Sequence, residues 1–129
     1  DGMIRTGLPY ISKEKIKSDD RTQEVQIVNP LSLIENEAKL DYIKCDIEGY
    51  EWIVFQELKP AIQKHLPIVQ IEISNKNLKN FIDFFKGLEY VQYGIVDQKI
   101  IQEYGKQKED GDYLFVPKSK ERSFLNTRT

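Results

Sequence analysis

A strand, a tight turn, a helix and a second strand follow one another between residues 42 and 73, and this order constrains the fold more than any other feature of the sequence. The first strand is predicted over Tyr42–Ile47, where side chains alternate in polarity, and Glu48-Gly49 forms the turn. The second strand is predicted over Ile68–Ile73, directly after Pro67. Two strands joined by a helix can pair in parallel through a right-handed crossover, so the sequence predicts an α/β fold.

The helix between these strands is predicted in two pieces. The first piece begins at Tyr50 and ends at Pro60, because proline disrupts a helix interior, and the second covers Ala61 to His65. A further helix follows, with apolar residues at the i, i+3, i+4, i+7 spacing. Asn75 is its predicted N-cap and Gly87 its C-terminal stop.

Shorter elements flank this unit on both sides. Before it, a strand over Val25–Val28 is predicted to lead into a brief helix over Leu31–Glu37. After it, three strands are predicted over Tyr90–Val96, Lys99–Tyr104 and Tyr113–Val116. The close spacing of these strands indicates antiparallel pairing near the end of the chain.

Strands that alternate with helices predict a mostly parallel sheet, with an antiparallel C-terminal hairpin and helices on both faces. A chain of 129 residues has the size of one domain. Residues 1–24 are a polar lead-in that we expect to be poorly ordered, and residues 25–117 are predicted to form the domain. Residues 118–129 are a polar tail that we expect to be frayed.

Charge and composition exclude several classes of partner. Lys and Arg number 19 against 21 Asp and Glu, and the net charge of -2 leaves no basic excess for binding nucleic acid. No apolar run reaches the roughly twenty residues that a membrane helix needs, so we expect no membrane partner. A single cysteine and the lack of a leader-like pattern at the start favour the cytoplasm as the compartment.

Carboxylates stand at the ends of both strands of the central unit. The strand period of two puts Lys44 and Asp46 on one face, and Asp46 lies just before the turn. Glu72 lies near the end of the second strand, on the same face as Gln70. Ligands of open α/β sheets bind beyond the carboxyl ends of parallel strands, so Asp46, Glu48 and Glu72 are predicted to converge on one crevice.

Two kinds of role are open for these carboxylates. They suit a general base, a hydrogen-bonding clamp for a polyol or a cationic ligand, or a divalent metal site. Alternatively, Asp46 or Glu48 bonds the amides at the start of the following helix, and Gly49 serves only the turn. The run lacks the Cys and His spacing of a zinc site, and no metal site is assigned.

The other candidate side chains are predicted to be structural. His65, the only histidine, sits at a helix end, where its imidazole can bond the terminal carbonyls. Cys45 lies among apolar residues without an adjacent base, which is typical of a small core residue. Trp52, Phe55 and Leu58 form an apolar stripe that is also expected in the core. The seven glycines never form Gly-x-Gly, so no phosphate or dinucleotide loop is encoded.

One run of residues carries a family resemblance. Residues 41–51, DYIKCDIEGYE, resemble the hallmark of FkbM-family methyltransferases, a Lys-x-Asp-x-Glu-Gly-x-Glu run that closes a central strand. Residues 66–73 are similar to the next strand of that family, and residues 111–117 to its closing strand. The resemblance extends over residues 25–117.

The resemblance implies a Rossmann-like fold of the class I methyltransferase type and transfer of a methyl group from S-adenosylmethionine to a hydroxyl, often on a sugar or a secondary metabolite. It implies that Asp46 and Glu48 lie beside the methyl group of the donor and the acceptor hydroxyl. Because an unactivated hydroxyl must lose its proton during the transfer, we expect Asp46 to be the base and Glu48 to orient the acceptor. Glu72 and Tyr50 would then contribute to acceptor binding. The first β-α unit, with its glycine-rich donor loop, has no counterpart here, so the chain looks like the C-terminal half of such an enzyme and no donor-binding residue is assigned.

Two other functions stay open at the level of sequence. A non-catalytic interaction or glycan-binding module could use the same partial sheet, with its crevice or an exposed strand edge against the partner. A metal-dependent hydrolase could use the three carboxylates. The methyl acceptor, whether a small molecule or a glycan, and the oligomeric state are not defined by the sequence.

Overall fold

The computed structural model describes residues 26–47, 49–102 and 110–127 of the chain. In chain order, the helices and strands are α1 (Pro30–Ile34), β1 (Tyr42–Cys45), α2 (Glu51–His65), β2 (Ile68–Ile73), α3 (Asn75–Gly87), β3 (Tyr90–Val96), β4 (Lys99–Ile101), β5 (Gly111–Pro117) and α4 (Lys118–Asn126). In these residues, no helix is long and apolar enough to cross a bilayer.

The five strands form one sheet in the order β1-β2-β5-β3-β4. β1 and β2 pair in parallel, whereas β5 pairs antiparallel with both β2 and β3, and β4 pairs antiparallel with β3. The α/β class is therefore confirmed, but the prediction of a mostly parallel sheet is wrong. β1, β2 and β3 do run in the same direction, as helical crossovers require. β5 inserts between β2 and β3, which replaces one parallel pair by two antiparallel pairs.

Helices cover both faces of this sheet. On one face, α2 and α3 pack against β1, β2 and β5 in a single buried cluster. Within it, the ring of Phe85 from α3 stacks on the ring of Phe115 from β5, with 4.0 Å between the centroids. On the opposite face, Phe124 of α4 packs against a second cluster, which consists of Tyr93 of β3 and Leu114 and Val116 of β5. Since β5 contributes to both clusters, this strand lies at the centre of the core.

The apolar stripe of α2 belongs to the core, as predicted. Phe55 and Leu58 are buried. Trp52 is half-buried and packs edge-on against Phe81 of α3, with 5.1 Å between the ring centroids. The three side chains therefore join the two helices to each other and to the sheet.

α2 is one continuous helix, and the predicted break at Pro60 is wrong. Leu58 and Ala61 are buried on either side of the proline, and Ile62 is fully buried one residue further on. Most helical stability in proteins comes from the packing of an apolar face, and here that packing outweighs the backbone hydrogen bond that Pro60 cannot donate.

The N-cap of α3 lies one residue earlier in the chain than predicted. Ser74 is the N-cap and Asn75 is the first helical residue, so the prediction of Asn75 as the cap is wrong. The backbone N–H of Asn75 donates to Asp110 Oδ1 at 2.6 Å. A carboxylate from the start of the β5 segment thus satisfies an amide that a local cap would otherwise have to satisfy. Gly87 ends the helix, as predicted.

Three of the predicted short elements are reduced or not formed in the described residues. Residues 26–28 of the predicted strand Val25–Val28 form no regular structure, and Val25 lies outside the described residues. α1 covers only Pro30–Ile34, and the side chain of Asn29 caps it by accepting from the Leu31 N–H at 2.8 Å. β4 likewise ends at Ile101, before the segment 103–109 that lies outside the description.

The polar tail is helical over residues 118–126, so the expectation that this part is frayed is wrong. Phe124 packs against the ring of Tyr93, with 5.7 Å between the centroids, and the Tyr93 hydroxyl donates to Glu121 at 2.6 Å. Lys120 Nζ donates to the Leu66 carbonyl at the end of α2, also at 2.6 Å. One aromatic residue and two polar contacts therefore dock a helix whose sequence is mostly polar. The limits of the lead-in and of the domain stay predictions.

Replacing Pro60 by alanine tests the continuity of α2. Alanine restores a backbone N–H that can donate to the Gln56 carbonyl and removes the clash of the proline ring. We expect the free energy of unfolding of Pro60→Ala, measured by urea denaturation, to rise by about 1–3 kcal/mol. Gln63→Ala, at another exposed position of the helix, is the control and should change stability by less than about 0.5 kcal/mol. A loss of stability in Pro60→Ala alone would contradict the continuous helix.

Candidate active site

The loop between β1 and α2 carries the candidate site. Asp46 follows the last residue of β1, and its carboxylate is exposed. Lys44 Nζ lies 3.7 Å from Asp46 Oδ2, and both side chains are about half exposed to solvent. An exposed pair at this distance contributes little, about 0–1 kcal/mol, so the carboxylate is free to change partner. Glu48 lies outside the described residues.

The backbone of this loop is held by Glu51, the first residue of α2. Its side chain is only 6% exposed. Glu51 Oε1 accepts from the N–H of Ile47 at 3.0 Å and from the N–H of Gly49 at 3.1 Å, and Oε2 accepts from the same Gly49 N–H at 3.0 Å. Hydrogen bonds to a carboxylate are stronger than those between neutral groups, so the loop is fixed at two of its amides.

Gly49 has a backbone conformation that few other residues adopt. Its φ is +99°, and a Cβ added at this position would meet nothing within 4 Å. The requirement for glycine is therefore one of backbone geometry and not of space. The sequence predicts a turn here, and the structure shows that the turn also directs the Gly49 N–H toward Glu51.

Glu72 lies exposed on β2, and Asp112 of β5 is its partner across the strands. The register of β1 and β2 pairs Cys45 with Ile71, so Asp46 and Glu72 are the next residues along two neighbouring parallel strands. Asp46 therefore lies just beyond the end of β1, beside Glu72, which is the last residue but one of β2. Because Glu48 is not described, the convergence of all three carboxylates on one crevice stays a prediction.

Tyr50 is half-buried and is the N-cap of α2, with no side-chain hydrogen bond to the helix. Its predicted part in acceptor binding stays a prediction. Within the ranges that the structure describes, no three His, Cys, Asp or Glu side chains are grouped so that they could hold a metal ion. The chemistry that the site offers is that of an exposed carboxylate on a fixed loop, which can accept a proton from a bound hydroxyl.

A side-chain hydrogen bond joins the two parallel strands. The Tyr42 hydroxyl of β1 donates to Gln70 Oε1 of β2. Burial raises the pKa of Tyr42, and the charge of Asp112 raises it further. Tyr42 therefore stays a neutral hydrogen-bond donor at physiological pH.

Cys45 is not a nucleophile, as predicted. Its side chain is 7% exposed, and burial, with the charges of Glu51 and Asp46, raises the pKa of the thiol to about 12. The thiolate is the reactive form of cysteine, and at neutral pH almost none is present. Cys45 thus serves as a small core residue at the end of β1.

His65 is the last residue of α2, and the side chain that bonds the carbonyls at this helix end is that of Lys120. Lys120 Nζ donates to the Leu66 carbonyl at 2.6 Å and approaches the His65 carbonyl at 3.4 Å. His65 Nε2 is buried without a hydrogen-bond partner. Lys120 therefore takes over the role that the sequence analysis gives to the imidazole.

An α/β sheet with a carboxylate at the carboxyl edge of its parallel pair is a scaffold that binds ligands beyond the strand ends. Residues 5–108 match the family model of the methyltransferase FkbM domain. Since this match covers more than half of the chain, the protein belongs to the FkbM methyltransferase family, and the resemblance of residues 41–51 is confirmed. No curated protein and no solved structure gives a significant match.

Two glycine-to-alanine substitutions, compared by their effect on stability, test whether the backbone conformation of Gly49 requires glycine. Gly49→Ala forces a side chain onto a φ of +99°, and we expect a loss of about 1–3 kcal/mol in the free energy of unfolding. Gly87→Ala, at a position that is equally open but lacks a positive φ, should stabilise or change stability by less than about 1 kcal/mol. Equal losses in the two variants, measured by urea denaturation, would contradict the strained turn.

The reactivity of Cys45 tests the burial of the end of β1. We expect a thiol reagent at pH 8 to label the folded chain on the order of a hundredfold more slowly than the urea-denatured chain, because the raised pKa removes thiolate and burial keeps the reagent from the sulfur. Cys45→Ala provides the blank, as the chain has one cysteine. Labelling of the folded chain at the denatured rate would show that this thiol is accessible.

Proposed function

We propose that the protein acts in methyl transfer from S-adenosylmethionine to a hydroxyl of a sugar or a small metabolite. Membership of the FkbM methyltransferase family supports the reaction type. The observation that carries the assignment of residues is the exposed Asp46 carboxylate, placed at the carboxyl edge of the sheet on a loop that Glu51 fixes. The family match favours this reaction over a non-catalytic interaction or glycan-binding module.

The chemistry requires alignment and the removal of one proton. The hydroxyl oxygen attacks the methyl carbon in line with the bond to sulfur, and the electrons of the carbon–sulfur bond go to sulfur. Asp46 accepts the proton of the hydroxyl as a general base. S-adenosylmethionine, when bound, supplies the electrophilic methyl group. No Gly-x-Gly stands in the 129 residues, so we assign donor binding to no residue of this chain.

The acceptor side of the site is assigned to three residues. Glu48, next but one to Asp46 in sequence, orients the acceptor hydroxyl. Glu72, exposed on the neighbouring strand, and Tyr50, at the start of α2, line the acceptor site. Carboxylates and a phenol are side chains that hydrogen-bond the hydroxyls of a polyol, which supports a small-molecule or glycan acceptor.

Charge and cysteine chemistry support the remaining parts of the proposal. A net charge of -2 disfavours nucleic acid as the acceptor. The free, buried thiol of Cys45 suits a reducing compartment, and we propose the cytoplasm.

Asp46→Asn tests the role of Asp46 as the general base. The variant is made in the shortest form of the protein that transfers methyl groups from S-adenosylmethionine. Asparagine keeps the size of the side chain and removes the proton acceptor, and we expect the rate of methyl transfer to fall about a hundredfold or more. The assay follows labelled methyl from S-adenosylmethionine into a panel of sugars and hydroxylated metabolites. Asp41→Asn is the matched control, because this exposed residue precedes β1 and pairs with Lys39 at the opposite end of the strand. An unchanged rate in Asp46→Asn would remove the assignment.

A further inference from the structure

Glu51 is the only charged side chain that is buried in the described part of the chain. A buried carboxylate destabilises a protein unless hydrogen bonds replace its lost hydration. The replacement here comes from two backbone amides in the preceding loop, those of Ile47 and Gly49. The carboxylate is therefore satisfied only when the loop takes the conformation that presents both N–H groups to it.

Helix capping does not account for this contact. A glutamate that takes part in a capping box is the third residue of the helix and accepts from the N-cap amide. Glu51 is the first residue of α2, the N-cap is Tyr50, and the two amides that Glu51 accepts from precede the helix altogether. The buried charge consequently organises the loop and not the helix end.

One of the two held amides belongs to the residue directly after Asp46, the proposed base. Asp46 stands between Cys45, which is paired in β1, and Ile47, whose N–H is held. In sequence, Glu48 stands between Ile47 and Gly49. The requirement for a positive φ at Gly49 belongs to the same arrangement, because that turn brings its N–H to both oxygens of Glu51.

We infer that Glu51 is a positioning residue, whose buried carboxylate fixes the loop backbone and thereby the place of the Asp46 carboxylate. Its contribution to methyl transfer rests on the proposed function, whereas its effect on the loop can be measured without any reaction. Glu51 acts through the backbone and need not contact substrate.

Nuclear magnetic resonance of the isotope-labelled 129-residue chain tests the inference with Glu51→Gln, Glu51→Ala and Glu57→Gln. Glutamine keeps one acceptor oxygen but turns an NH₂ group toward the Gly49 N–H, and alanine removes both acceptors. Glu57→Gln is the matched control, since this exposed residue of the same helix accepts from Asn29 and not from the loop.

We expect hydrogen exchange at Ile47 and Gly49 to accelerate about tenfold or more in Glu51→Gln and further in Glu51→Ala. Amides in β2 and β5 should stay within about threefold of the wild type in Glu51→Gln, and the side-chain carboxyl resonance of Asp46 should shift. Glu57→Gln should leave all of these unchanged. The partial rescue by glutamine relative to alanine distinguishes an acceptor role from the loss of side-chain volume.

Acceleration by the same factor throughout the chain would show that Glu51 only stabilises the fold, and would overturn the inference. Unchanged exchange at Ile47 and Gly49, or an unmoved Asp46 resonance, would overturn it as well. Failure of the wild-type protein to transfer methyl groups bears on the proposed function alone, because the loop measurements involve neither donor nor acceptor.

Discussion

The carboxylate of Glu51 ties the end of β1 to the start of α2, and the geometry of the candidate site depends on this contact. The charge is buried, so it must be hydrogen-bonded, and it accepts from the loop amides of Ile47 and Gly49. Meeting this requirement fixes the backbone on both sides of the short turn. The backbone position of Asp46 is therefore defined, although the side chain of Asp46 has only a weak ion pair with Lys44.

The loop connects a strand of the sheet, β1, to the helix α2. β5 lies between β2 and β3 and presents residues to both layers of helices, with Phe115 against Phe85 on one side and Val116 in the cluster with Phe124 on the other. The parallel pair β1 and β2 is held in the sheet by the pairing of β2 with β5. Asp46, the base in the proposed reaction, directly follows the last residue of β1.

The sequence predicts correctly those elements that depend on the spacing of residues near one another in the chain. The limits of β2 follow from alternation between Pro67 and Ser74, and the stripe of α2 follows from helical spacing. Two features depended on distant contacts and were missed. The insertion of β5 depends on strand pairing across the sheet, which no local pattern encodes, and α4 depends on Tyr93 and Leu66 for its docking. The predicted break at Pro60 does not occur, because the packing of the buried neighbours of Pro60 stabilises the helix.

For the site, sequence reasoning placed Asp46 at the end of a strand and Gly49 in a turn, and it assigned Cys45 to the core. It missed the structural role of Glu51, because the partners of that side chain are backbone amides, which leave no trace in the pattern of side chains. One signal was present: an acidic residue opens the helix while Tyr50, a poor capping residue, precedes it.

Scalar couplings across hydrogen bonds test the central claim most directly, because they report a donor and an acceptor that share electrons. In the labelled wild-type chain we expect couplings that link the amide nitrogens of Ile47 and Gly49 to the side-chain carboxyl carbon of Glu51. Couplings from these amides to any other acceptor, or none to Glu51 under conditions that reveal the backbone bonds of β2 and β5, would contradict the account.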